Sequence, residues 1–139
     1  MIDEVYRADV RTSAQTFGDE AEGIVAAHLV QRGWSILGRN IRLGRGELDL
    51  AAIDPGPPAA LVVVEVRWRG GRGFGMPEET VDHRKRSHLR VAIGRLLDDG
   101  LPHGVALPPL PIRVDLIVVE PGIDPGAPPV IRHHRAIAL

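Results

Sequence analysis

Apolar side chains at Phe17, Ala21, Ile24, Val25 and Leu29, with half-apolar His28 among them, recur at i, i+4, i+7 and i+8. That spacing predicts an amphipathic helix from Phe17. Gly33 is placed to end it, since glycine tolerates the left-handed backbone of a C-cap. "WSILGRNIR" (34–42) reads as a short strand and "LGRG" (43–46) as a turn. "ELDLAAI" (47–53) alternates, which sets Leu48 and Leu50 on one face and Glu47, Asp49 and Ala51 on the other. After the turn "DPGPPAA", the run "LVVVEVRW" (61–68) is continuous and β-branched, the signature of a central strand. Gly70, Gly71, Gly73 and Gly75 mark a loop. A second helix follows, with Thr80 or Asp82 as its N-cap. It carries Val81, Leu89, Ala92, Ile93, Leu96 and Leu97 at helical spacing, and Gly100 closes it. A Pro-rich connection leads to the strand "IRVDLIVVE" (112–120), and "VIRHHRAIA" is a last strand or a terminal extension.

The predicted order is therefore α-β-β-β-α-β with an optional final strand, an α/β fold in which helices flank a central mixed sheet. Residues 1–16 lack clear periodicity and are expected to form a flexible N-terminal arm, with 17–139 as a single domain.

Composition narrows the class. Apolar residues are 44% and charged residues 25% of 139, which is globular rather than disordered usage. With no cysteine, disulfides, thiolate metal sites and thiol nucleophiles are excluded. No apolar run approaches a membrane span of roughly 18 residues, and "MIDEVYRADVRTSAQT" is too acidic and polar for a signal peptide. The expected location is cytoplasmic, with no membrane partner. A net charge of −1 argues against indiscriminate polyanion binding, so any nucleic-acid contact must use a local patch. Residues 67–90 supply one: seven basic residues (Arg67, Arg69, Arg72, Arg84, Lys85, Arg86, Arg90) against three acidic ones (Glu78, Glu79, Asp82). Such an excess, around a glycine-rich loop, suits a phosphate backbone, although charge runs are often only solvated faces. Aromatic residues are 4%, too few to suggest extensive base stacking.

The charges inside the strands are the chemical clue. Period-two geometry puts Glu47 with Asp49, and Glu65 with Arg67. If the two strands are neighbours, Asp49 and Glu65 converge. Two buried carboxylates repel unless a proton or a cation lies between them. Mg²⁺ or Mn²⁺ would resolve that conflict through hard oxygen ligands, with the Val66 carbonyl available to complete the set. Periodicity alone equally allows a solvated strand face, with Glu47 and Arg67 as a cross-strand ion pair. His133 and His134 are adjacent, which is not a usual zinc-ligand spacing. The glycines of "GGRGFG" do not follow a strand and open a helix as a phosphate loop does. Asp115 and Arg113 read as structural, and Trp68 as packing.

"RGELDL" (45–50), "VVVEVRWR" (62–69), "FGMPEETVDHRK" (74–85) and "IRVDLIVV" (112–119), preceded by "GDEAEGIVAAHLVQRGWSILGRNIR" (18–42), resemble in order the YraN-type uncharacterised protein family (UPF0102 type). That family is in turn similar to the restriction-endonuclease-like nucleases, whose signature is an Asp, a gap, and (Asp/Glu)-x-Lys. The resemblance implies a restriction-endonuclease-like fold and a Mg²⁺- or Mn²⁺-dependent endonuclease hydrolysing DNA phosphodiesters. It assigns the signature Asp to Asp49 and the second carboxylate, with fifteen residues intervening, to Glu65, with Val66 as x. It places the helix carboxylate on Glu22, as metal ligand or water-orienting group, and Glu47 in the family's "GE(I/L)D" turn. The lysine position holds Arg67, which keeps the charge but does not act as a base. Lys85, the one lysine among seventeen basic residues, matches a family lysine and is a candidate ammonium for the scissile phosphate. Arg69, Arg72, Arg84, Lys85 and Arg86 are the expected nucleic-acid contacts. Two alternatives remain: a catalytically inactive nucleic-acid-binding protein on the same fold, and an interaction module using a sheet edge or the Pro-rich loops. A homodimer is one way for so small a domain to cut both strands.

Overall fold

In a computed structural model, which describes residues 13–69 and 83–139, the chain is organised around its most apolar strand. The elements run α1 (Ser13–Gln31), β1 (Ser35–Leu43), β2 (Gly46–Asp54), β3 (Ala60–Trp68), α2 (His83–Asp99), β4 (Ile112–Glu120) and β5 (Val130–His134), with a 3₁₀ turn at Pro102–Gly104. The sheet order is β1-β2-β3-β4-β5, so β3 lies in the middle. Its residues from Ala60 to Val66 are all buried. β1, β2 and β3 pair antiparallel in succession, β3 and β4 pair parallel, and β5 returns antiparallel on β4. A parallel pair cannot be joined by a tight turn, and α2 lies in the long crossover between β3 and β4. The expected α-β-β-β-α-β order is observed, and the optional last strand is present.

Alternate residues of the same strands feed two cores. Leu50, Ala52, Val62, Val64 and Val66 pack with Ala21, Val25 and Leu29 of α1. Ala51 and Val63 pack with Leu89, Ala92 and Leu96 of α2. A sheet buried on both faces explains why β3 reads as an unbroken apolar run rather than an alternating one. α1 ends as its sequence predicts. Gly33 has φ 89°, its N–H donates to the Val30 carbonyl, and the Trp34 N–H donates to that of Leu29, a Schellman closure.

Two expectations are corrected. Leu48 and Leu50 do not share a face: Leu50 lies in the α1 core and Leu48 in the α2 core. Pairing between β2 and β3 ends at Leu50↔Val64. The stretch before Leu50 follows β1 alone, and a two-stranded ribbon twists more strongly than a sheet. Leu97, expected in the core, is 56% exposed, because the buried stripe of α2 is only as wide as Leu89, Ala92 and Leu96. The proposed caps Thr80 and Asp82, and Val81, lie outside the described residues. No described helix is long and apolar enough to cross a membrane.

Candidate metal centre

The site forms where β2 leaves β3. Beyond the last ladder pair, the Val66 N–H has no strand partner on that side. It donates instead to Asp49 Oδ2 at 2.9 Å. The carboxylate thus sits in the opening between the two strands, fixed by backbone. Glu65, fully buried on β3, lies beside it. Lys85, from the first turns of α2, places Nζ 3.0 Å from Glu65 Oε1, and Arg67 Nη1 stands 2.7 Å from the same oxygen. Arg67 Nη1 also donates to the Val66 carbonyl at 3.3 Å. From the other helix, Glu22 is 6% exposed, and its carboxyl meets the Asp49 and Asn40 side chains. Glu22, Asp49, Glu65, Val66, Arg67 and Lys85 are therefore brought together from four elements.

Among the described residues the cluster is short of hydrogen bonds. Glu22 Oε2 and both Glu65 oxygens are buried without a hydrogen bond among the described residues. Glu65 Oε1 has both cations in ionic contact. Burial pushes the Asp49 carboxyl up to about 8, reinforced by the Glu65 charge and opposed by the Val66 N–H. Burial likewise raises Glu22, against the hydrogen bonds from Asp49 and Asn40. Near neutral pH the cluster retains a proton that a divalent cation would replace. Orphaned carboxylate oxygens suit that exchange. Among the described residues no three His, Cys, Asp or Glu groups form a ready-made cage. A Mg²⁺-type ion does not require one, since it commonly takes one or two carboxylates, waters and a substrate phosphate. Asp49 and Glu65 Oε2 are the fitting donors. Val66 O retains a second lone pair, and Glu22 stands beside the pair.

The remaining expected residues are dispersed. Arg84 and Arg86 are exposed on α2. Arg69 lies 3.5 Å from Glu120, and Arg72 is outside the described residues. Glu47 is exposed, and the carboxylate that Arg67 meets is Glu65, not Glu47. Arg113 and Asp115, expected to be structural, lie in a larger network that links the far end of β2 to β4 and β5. Arg113 bridges Asp54 and Asp115 at 2.9 Å, His133 Nε2 meets Asp115 Oδ2 at 2.8 Å, and Arg135 reaches Asp54. Asp54 and His133 gave no sign of this in the sequence, because their partners are up to 81 residues away. Asn40 was also missed; its signal was an Asn in the middle of a strand, where β-propensity is low.

An α/β protein with buried carboxylates and two cations at a strand divergence is the class these features define. The chain belongs to the uncharacterised protein family UPF0102, whose model matches residues 21–119. It is 40% identical over 107 residues to a UPF0102 protein of Symbiobacterium thermophilum, covering 77% of this chain and 84% of that one. It is 34% identical over 119 residues to one of Pseudomonas paraeruginosa, covering 86% and 89%. With the relative from Desulforamulus reducens it shares 40% identity over 83 residues, 60% of this chain and 66% of that protein.

Proposed function

We propose that this protein is a divalent-metal-dependent endonuclease of the restriction-endonuclease-like type, hydrolysing DNA phosphodiester bonds with Mg²⁺ or Mn²⁺. The carrying observation is half-buried Asp49 beside fully buried Glu65, with a Lys85 ammonium 3.0 Å from Glu65. The nuclease signature places a lysine two residues after its second carboxylate, where this chain has Arg67; α2 supplies an ammonium to that carboxylate from another direction. A bound divalent ion polarises a phosphate and lowers the pKa of a coordinated water. Asp49 and Glu65 would hold the ion. Lys85 and Arg67 face the charge that develops on the phosphate oxygens, and Arg67 has the forked geometry for phosphate. Glu22, beside Asp49, orients water.

Supercoiled, branched and single-stranded DNA, incubated with Mg²⁺ or Mn²⁺, test this reading. Cleavage by the wild type and its loss in Asp49→Ala and Glu65→Ala are expected. Equal cutting by the variants, or none by the wild type on any substrate, would end it. One feature supports the second reading, a nucleic-acid-binding protein without turnover: Glu65 Oε1 is engaged by two cations, one of them an arginine that cannot transfer a proton. That protein would bind DNA tightly, with binding indifferent to EDTA.

A further inference from the structure

Asn40 is an odd residue in an odd place. It sits within β1, yet its backbone has φ 49°. A non-glycine residue in the left-handed region costs energy and persists only where its surroundings impose it, most often at functional sites. Asn is among the few residues that tolerate it. The register places it tellingly. Arg39 pairs with Leu50 and Ile41 with Leu48, so Asn40 faces Asp49 across the β1–β2 ladder. A register shift between Ile36 and Gly38 precedes it and sets that alignment. Next to it, Arg39 donates to the Asp19 carbonyl of α1 at 3.4 Å, which ties this part of β1 to the helix that carries Glu22.

We infer that Asn40 is a positioning residue of the candidate metal centre, its side-chain amide holding the Glu22 carboxyl against Asp49. The inference rests on the metal-centre reading above. Glu22 is buried with Oε2 unpartnered. Once a cation displaces the Asp49 proton, the flexible Glu22 side chain would turn away from Asp49 without a second anchor, since like charges repel. The Asn40 amide is a neutral donor, so it anchors one Glu22 oxygen without consuming the charge needed by a cation. Oε2 remains buried and without a hydrogen bond among the described residues. A lysine in that role would neutralise the carboxylate, and an aspartate would add repulsion. Outer partners of metal-binding groups contribute in this way, and their removal commonly weakens metal affinity by about tenfold to a hundredfold.

The test is Mn²⁺ binding, followed by paramagnetic resonance of the free ion, in wild type, Asn40→Gly, Glu22→Gln and the double variant. Glycine accepts the same backbone conformation and deletes only the amide. Asn40→Gly is expected to bind Mn²⁺ about tenfold more weakly or worse, with unchanged circular dichroism. In the Glu22→Gln background the same substitution is expected to have no further effect, because Asn40 acts through Glu22. Undiminished binding by Asn40→Gly, or equal losses in both backgrounds, would overturn the inference while leaving the metal centre intact. A wild type that binds no Mn²⁺ would overturn both, and is distinguished by that first measurement alone.

Discussion

Asp49 shows how one side chain can be set against the stability of its own fold. Its folded-state carboxyl is raised to about 8 from an ordinary 3.8, first by burial and then by Glu65. A raised carboxyl means that the folded chain binds more protons than the unfolded one between those values. Stability of the metal-free protein therefore falls as pH rises from about 4 to about 8, then levels off. Thermal melting at successive pH values is expected to show that decline. Asp49→Asn, which keeps an acceptor for the Val66 N–H but no charge, should flatten the curve and raise the melting temperature at pH 8. A parallel decline in the variant would mean that another group is responsible. Such a variant should be more stable, as is usual where a site is built from mutually repelling groups.

At the scale of elements, each helix covers one sheet face and contributes one piece of chemistry: α1 carries Glu22, α2 carries Lys85. The apolar stripe on α2 is narrow, and neighbouring leucines differ sharply. Leu96 is fully buried and Leu97 is 56% exposed. Leu96→Ala is expected to cost about 2–5 kcal/mol, and Leu97→Ala no more than about 0.5 kcal/mol. Denaturant titration of the two variants checks this, and equal losses would contradict the packing described. The polar flanks of α2 belong to the proposed DNA contact. There Arg84→Ala and Arg86→Ala should each reduce the salt slope of DNA binding by about 1 and weaken it uniformly across sequences. Filter binding over a salt series measures it; an unchanged slope would remove those residues from the interface.

The whole molecule gathers its buried charges in two clusters on one sheet. At the β2–β3 divergence three carboxylate oxygens lack a hydrogen bond among the described residues. In the other cluster Asp54, Asp115, Arg113, His133 and Arg135 satisfy one another, beside a cavity of about 630 Å³ that Trp34, Asp54 and Arg113 help to line. Asp115 is buried, yet bonds from His133, Arg113 and the Ala136 N–H outweigh that burial and hold its carboxyl down at about 2. A depressed carboxylate stabilises the fold above its unfolded value of about 3.8 and loses that contribution as pH falls through it towards 2. Asp54, also lowered, adds in the same direction. Arg113→Ala removes the cation shared by two carboxylates, which keep only His133, Arg135 and backbone N–H partners, and is expected to cost up to about 3–5 kcal/mol at pH 7. Below about pH 2, where those carboxyls are protonated, the difference should largely vanish. Chemical denaturation at the two pH values tests this; a loss that persists in acid would point to packing by Arg113 rather than charge.

What the sequence by itself determined was local and periodic. The apolar spacing of α1, the β-branched run of β3 and the Gly33 closure are properties of short stretches, and short stretches report them. So was the pairing of charges on a strand: Glu65 and Arg67 do lie together, 2.7 Å apart. The positions of Asp49, Glu65, Glu22 and Lys85 in the family motifs marked them as one group. Only the tertiary structure decided how they meet. Alternation put Leu48 and Leu50 on one face, but the early end of β2 leaves β3 and twists, which no two-residue period records. That same divergence frees the Val66 N–H for Asp49 and opens the space between the carboxylates. Asn40 faces Asp49 because of a register shift four residues earlier at Ile36, and Lys85 reaches Glu65 because a crossover helix lies over the sheet. Register, divergence and crossover are relations between distant segments, so they are settled by packing and not by any residue's own preference.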